Sequence, residues 1–212
     1  MHLPRYERYI LRWCRSRRPS KNKPSSRAAL LVRFRPQHRT HGALTSPDQK
    51  AVVCSVPGYA AAGGLELSLL RDICVAEEDA VFGVFCRRSG VLLIDGGTVR
   101  LQTTIGLGRA IDLILTGGEV SAQEALIIGL ANRIVPKGKA VEEAIKIAEM
   151  LAKFPQLCMN KDRESCYCAT YQVNSFADAL KFEFHNGKVV IEKEGLDDAI
   201  RFAEGQGRSS KL

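Results

Sequence analysis

The stretch AVVCSVPGYAAAGGLELSLLRD, Ala51–Asp72, decides how the rest of the chain is read. Its opening, Ala51–Pro57, is rich in β-branched residues, carries no charge and stops at Pro-Gly, which predicts a short buried strand. Gly58–Gly64 is a small, flexible turn, and Leu65–Arg71 has helical composition. A strand thus feeds a small-residue turn that opens a helix. A helix start exposes N–H groups without intrahelical acceptors, together with the positive end of the helix dipole. Gly63 and Gly64 carry no side chain, so a ligand can come close to the backbone, and such a turn can hold an oxyanion. Glu66 follows in the first helical turn, near whatever the turn binds, and is placed to move a proton. The same residues also describe a packing turn followed by an acid that the helix dipole favours.

Downstream, Asp72–Ala76 returns to strand character. Thr98–Ile105 reads as helix, with Gly106 and Gly108 breaking it before a second helical run, Arg109–Thr116. Ser121-Ala122-Gln123-Glu124 is a capping box, with Ser at the N-cap and Glu three residues on. Ala131–Val135 is a short strand stopped by Pro136. Val141–Phe154 is amphipathic, with Val141, Ala144, Ile145, Ala148, Leu151 and Ala152 on one side, and Pro155 ends it. The remainder, to about Glu204, is helical and increasingly polar. Strands early and helices late predict an α/β chain with a sheet core and a helical tail.

Upstream, the composition changes. The chain has 212 residues and a net charge of +8. Residues 1–50 hold 13 Lys/Arg against Glu7 and Asp48, a balance of +11, whereas residues 51–212 hold 18 Lys/Arg against 21 acids, a balance of −3. The basic character therefore belongs to an arm and not to the body. Tyr6, Tyr9, Ile10 and Trp13 recur at near-helical spacing among arginines, and Arg15–Arg27 contains no strongly apolar residue to bury. Rich in Arg and Ser and poor in acids, the arm is similar to an organelle transit peptide, and it would also suit an anionic surface. No zinc-finger, RNA-recognition or helix-turn-helix pattern points to a specific nucleic-acid reader. No apolar run is long enough to span a bilayer as a helix. The seven cysteines (14, 54, 74, 86, 158, 166 and 168) form no C-x-x-C pair, which argues against a structural zinc site and against a disulfide scaffold.

The run Ala51–Asp72 closely resembles the enoyl-CoA hydratase/isomerase, or crotonase, family. The likeness continues in Ala80–Gly83, Asp95–Leu101, Gly108–Ala110, Leu113–Thr116 and Ser121–Pro136, in family order and at family spacing, over about residues 47–205. The resemblance implies a spiral of β-β-α units with a helical C-terminal region. It divides the chain into a basic, disordered arm (1–46), a crotonase-like domain (47–205) and a flexible tail (206–212). It implies an acyl-CoA thioester substrate, an enolate held by two backbone N–H groups, and assembly as a homotrimer or hexamer. Gly63 matches the position of one oxyanion donor, with Ala62 and Gly64 beside it, and Glu66 matches one of two hydratase glutamates. No metal and no cofactor are implied; coenzyme A arrives as part of the substrate. The implied compartment is the mitochondrial matrix or the cytoplasm.

Two departures qualify that expectation. The family's N-terminal part, with its second oxyanion N–H, has no counterpart in residues 1–46, so an N-terminally truncated member is expected. The second hydratase glutamate falls on Cys86. A neutral thiol replaces a carboxylate poorly when water must be both oriented and deprotonated. Asp95 is a candidate second acid, in a loop that closes over the site in relatives. Its alternative role is N-cap of the Gly96–Thr98 turn. Cys86 beside Arg87 and Arg88 has two readings, a low-pKa thiolate or packing. Lys181, Lys188 and Lys193 would either meet coenzyme A phosphates or form a solvated helix face, and His185 stands alone. The alternative to an active enzyme is a catalytically impaired relative that binds acyl-CoA or assembles with full-length members.

Overall fold

A computed structural model describes residues 30–32 and 50–203. The arm helix expected around Tyr6–Trp13, the polar run Arg15–Arg27 and the tail 206–212 lie outside the described residues.

Among the described residues, seven strands form two sheets. β1 (Leu30–Val32), β2 (Val53–Val56), β4 (Ile73–Glu77) and β7 (Arg133–Val135) make the first, in spatial order β1-β2-β4-β7. β3 (Tyr59–Ala61), β5 (Val81–Gly83) and β6 (Glu119–Ser121) make the second. β2, β4 and β7 run parallel, with Cys54 opposite Cys74 and Ala76 opposite Ile134. β1 is antiparallel to β2, β3 is parallel to β5, and β6 closes the second sheet antiparallel to β5. Successive strands therefore alternate between sheets: β2 then β3, β4 then β5, β6 then β7. Helices follow the first two steps, namely α1 (Gly63–Ser68) after β3 and α2 (Gly97–Ile105) and α3 (Leu107–Thr116) after β5, while α4 (Ala122–Ile127) lies between β6 and β7 in the third. Each turn of the chain adds one strand to each sheet, which is a spiral of β-β-α units. Leu30–Val32, expected within the unstructured arm, supplies an edge strand.

The local rules explain most of these elements. β2 is buried along its whole length, including the polar Ser55, as suits an uncharged strand inside a sheet. The Asp72 carboxylate accepts from Val52 N–H at 2.6 Å and holds the strand entry. Asn132 extends the β4–β7 ladder in both directions, Oδ1 accepting from Cys74 N–H at 2.7 Å and its own N–H donating to Cys74 O at 2.9 Å. The capping box forms as read: Ser121 Oγ accepts from Glu124 N–H at 3.2 Å.

Three elements differ from expectation. Tyr59–Ala61, expected as turn, is β3, because pairing with Val81–Gly83 captures Ala60 and Ala61, whose own strand propensity is low. Gly108 lies inside α3 and only Gly106, at φ +83°, interrupts the helices. In α5 (Ala140–Ala152) the buried stripe is Ala140, Ala144 and Ile147, while Ile145 is exposed. Apolar residues occur on more than one side of this helix, and periodicity alone could not say which side is buried.

The core of this unit joins Val56, Ala60, Leu65, Phe82, Leu101, Val120 and Leu130, drawing on both sheets and on α1 and α2. Glycine is required at 83, where a Cβ would lie 2.2 Å from the Phe85 ring and 2.8 Å from Gly118 O. A second compact unit begins at Met150 and carries α6 (Gln156–Tyr171) and α7 (Phe176–Ala203) as an antiparallel helical pair. Within it, Asn186 is buried and donates to Ser165 Oγ at 3.0 Å, placing a polar contact between the two helices.

Candidate functional site

The site is built on the turn between β3 and α1. Ala62, the residue before the helix, has φ +50° and ψ −123°, the one non-glycine with positive φ among the described residues. Its N–H donates to Gly83 O at 3.0 Å and its carbonyl accepts from Glu66 N–H at 3.0 Å. The sheet and the helix thus hold a conformation that an L-residue resists, at a cost on the order of 1–3 kcal/mol. Its methyl group is buried. Gly63 and Gly64 form the first two positions of α1, where helix geometry supplies no acceptor for their N–H groups. A Cβ built on either would meet nothing within 4 Å, so the space over this turn is open.

Glu66 is one helical turn after Ala62 and is 3% exposed. Its Oε1 accepts two backbone bonds, from Asp95 N–H at 2.8 Å and Gly97 N–H at 3.0 Å. No described residue donates to Oε2. Two N–H groups two residues apart that converge on one oxygen form an anion-binding nest. Burial nevertheless dominates and pushes the Glu66 carboxyl above its ordinary 4.5, against the two amides, which pull it down. The Asp95 carboxylate adds to the rise and the Arg100 cation opposes it.

Asp95 and Cys86 are both brought to Glu66. Cys86 lies in a 3₁₀ turn, Phe85–Ser89, and is buried. Its thiol is pushed up, first by burial and also by the Glu66 charge, so the neighbouring arginines do not make it a thiolate. Asp95 is not the N-cap of α2; that position is Gly96, left-handed at φ +89° and ψ 11°, which needs no side-chain cap. The Asp95 carbonyl accepts from Arg100 Nη1 at 2.9 Å.

Gly97 and Arg100 carry no assignment from sequence reasoning. A Cβ on Gly97 would lie 2.7 Å from Glu66 Cγ, and a Cβ on Gly96 would lie 2.0 Å from Arg100 Nη1. The Gly-Gly doublet was the available signal, but its partner Glu66 is 31 residues away.

The other candidates belong to the second unit. Lys181, Lys188 and Lys193 are exposed on α7, Lys181 beside Asp178 at 3.2 Å and Lys188 beside Glu192 at 3.7 Å. His185 is exposed on the same helix. Among the described residues, no group of three or more His, Cys, Asp or Glu could hold a metal ion, and no helix is long and apolar enough to cross a membrane.

Residues 34–205 match the family profile described as enoyl-CoA hydratase/isomerase. Over 153 residues the chain is 37% identical to a probable mitochondrial enoyl-CoA hydratase of Dictyostelium discoideum, covering 70% of this chain and 54% of that protein. It is 39% identical over 121 residues to the mitochondrial enoyl-CoA hydratase of Pongo abelii, covering 57% of this chain and 42% of the relative. The chain thus spans about half the length of these two relatives. In structure it is similar to the enoyl-CoA hydratase of Bacillus anthracis, with a TM-score of 0.66 and 36% identity over 70% of this chain and 57% of the other.

Proposed function

The chain belongs to the enoyl-CoA hydratase/isomerase family, and from that premise we propose that it acts on acyl-CoA thioesters through an enolate. The observation that supports this reading best is the buried Glu66 carboxyl, fastened by two amides on one oxygen, one helical turn beyond an open glycine turn. In this reading the thioester oxygen rests on the Gly63 N–H, with Ala62 and Gly64 shaping the turn. Such a donor contributes about 3–4 kcal/mol to an oxyanionic transition state. Glu66 transfers a proton at the carbon next to the thioester, using Oε2 while Oε1 stays bound. Its raised pKa suits an acid/base group, because proton transfer is most effective when the group titrates near the working pH.

Hydration needs a second proton-transfer group. Cys86 supplies only a neutral thiol, so Asp95 is the proposed partner of Glu66. With Glu66 alone, a proton shift in the 2-enoyl-CoA is the simpler chemistry, since one carboxyl can remove and return the same proton. The Cys86 thiol also supports a second reading, a relative impaired in hydration that still binds acyl-CoA or assembles with full-length members. A homotrimer or hexamer in the mitochondrial matrix or cytoplasm, with no cofactor beyond the coenzyme A of the substrate, completes the proposal.

The test is purified chain with crotonyl-CoA, wild type against Glu66→Gln, measured three ways. Loss of the enoyl thioester absorbance reads hydration, deuterium uptake from heavy water reads proton exchange, and free thiol reads hydrolysis. Any of the first two signals, lost in Glu66→Gln, supports the reading. Equal rates in both proteins remove Glu66 from the chemistry. Binding of acyl-CoA without turnover selects the second reading.

A further inference from the structure

We infer that Arg100 is a positioning residue for Glu66: by clasping the middle peptide of the Asp95–Gly97 loop, it keeps the two flanking N–H groups on the carboxylate. This rests on the reading of Glu66 as the acid/base group. The geometry involves three consecutive peptide units. The N–H of Asp95 and the N–H of Gly97 both point inward to Glu66 Oε1, at 2.8 and 3.0 Å. Between them, the Asp95 carbonyl points to Arg100 Nη1 at 2.9 Å. A peptide cannot turn its carbonyl without turning the amide on its other end, because the unit is planar. Planarity thus fixes the Gly96 N–H with the Asp95 carbonyl, and the anchored unit shares the Asp95 Cα with one flanking peptide and the Gly96 Cα with the other, which leaves each flanking amide one φ/ψ junction from a fixed plane.

The two glycines let this arrangement close. Gly96 is left-handed, and the guanidinium lies where its Cβ would be, at 2.0 Å. Gly97 has Glu66 in the same relation, with Cγ 2.7 Å from the Cβ position. The loop is packed by the cation at one glycine and by the carboxylate side chain at the next. Arg100 is also the fourth residue of α2, in the turn where a positive charge opposes the helix dipole. Helix stability does not account for a cation there, whereas the clasp on the Asp95 carbonyl does. The charged and titratable groups that face Glu66 are Asp95 in the loop, Arg100 on α2 and Cys86 on the 3₁₀ turn.

The experiment uses the full chain with ¹³C-labelled glutamate carboxyls, the Glu66 resonance being assigned by its loss in Glu66→Gln. In Arg100→Met that resonance should titrate about 0.5–1 pH unit higher than in wild type, since a cation and two ordered amides all favour the ionised form. Arg100→Lys, which returns the charge, should recover at least half of the shift. With crotonyl-CoA, Arg100→Met should lower kcat about tenfold with little change in KM. Its acid limb should move upward in pH by the same amount as the resonance. An unchanged Glu66 titration in an Arg100→Met protein of native melting temperature overturns the inference. If Arg100→Met does not fold, Arg100→Gln replaces it, and a titration equal to wild type there is equally decisive against it. Wild-type protein without turnover would sink the acid/base reading, and the resonance titration would still decide whether Arg100 positions Glu66.

Discussion

Two glycine doublets border the same carboxylate, and they are glycine for opposite reasons. At Gly63-Gly64 an added methyl group would meet nothing within 4 Å. At Gly96-Gly97 it would meet Arg100 at 2.0 Å and Glu66 Cγ at 2.7 Å. The first doublet keeps a space empty next to unpartnered N–H groups. The second lets a space be filled by two side chains that must approach the backbone. As letters in a sequence the pairs are alike; what differs is what arrives from elsewhere in the chain. Function at the first doublet depends on accessibility, and at the second on packing, so stability and activity should separate at one and fall together at the other.

The largest expected effect is at the residue between the doublets. Glu66→Gln keeps the shape and should lower turnover of crotonyl-CoA by about 10²–10⁴-fold, the usual worth of a general acid/base group, in a steady-state assay. The same variant tests the electrostatics. Burial raises the Glu66 pKa above 4.5, so the folded chain binds that proton more tightly than the unfolded chain does. The resulting stabilisation is complete below 4.5 and is lost as pH rises through the raised value. Thermal melts should therefore show Glu66→Gln gaining on wild type from about 4.5 toward neutrality, and matching it in acid. A difference that ran the other way would mean that the amide nest outweighs burial.

Gly97→Ala comes next. Its methyl would drive Glu66 off the loop, and overpacking of this kind costs about 1–3 kcal/mol in urea unfolding. Turnover should fall in the same protein. If stability fell while the rate held, the loop would be packing alone. Gly63→Ala sharpens the contrast. Its backbone lies outside the left-handed region and its surroundings are open, so stability should hold or rise by about 0.4–1 kcal/mol. Acyl-CoA turnover or binding should nevertheless drop, because the methyl group occupies the approach to the N–H. Equal activity would remove this turn from the site. The smallest effect belongs to a group far from both doublets. Glu142 is held down to about 2 by hydrogen bonds and charge from Lys139 and Lys146, each 2.8 Å away, but it is exposed. Glu142→Gln should barely move the melting temperature at neutral pH, and added salt should erase the difference.

The strand Val53–Val56, the helix after Ala62, the Ser121 cap and the late helices were all legible, because each follows from residues adjacent in the chain. β3 was not, since Tyr59-Ala60-Ala61 becomes a strand only by pairing with Val81–Gly83. The buried face of α5 was misjudged for a related reason: the sequence offers more than one apolar side, and folding buries the one through Ala140, Ala144 and Ile147. At the site, Glu66 and the turn before it could be singled out from local composition and from the family likeness. The roles of Gly97 and Arg100 could not, because their partners are brought to them by the fold.

Local chemistry alone therefore determined the early strands and late helices of the body, the split between a basic arm and a mildly acidic domain, and the presence of one acid beside a small-residue turn, while the β-β-α repeat was implied only by the family likeness. Only the tertiary structure decided that this acid would be buried, that two amides would share its Oε1, that a thiol and a second carboxyl would face it, and that Arg100 would close the loop. The division has one physical cause. Propensity, capping and charge balance act over a few neighbouring residues, whereas desolvation and nest geometry depend on groups that folding brings together from about 30 residues away.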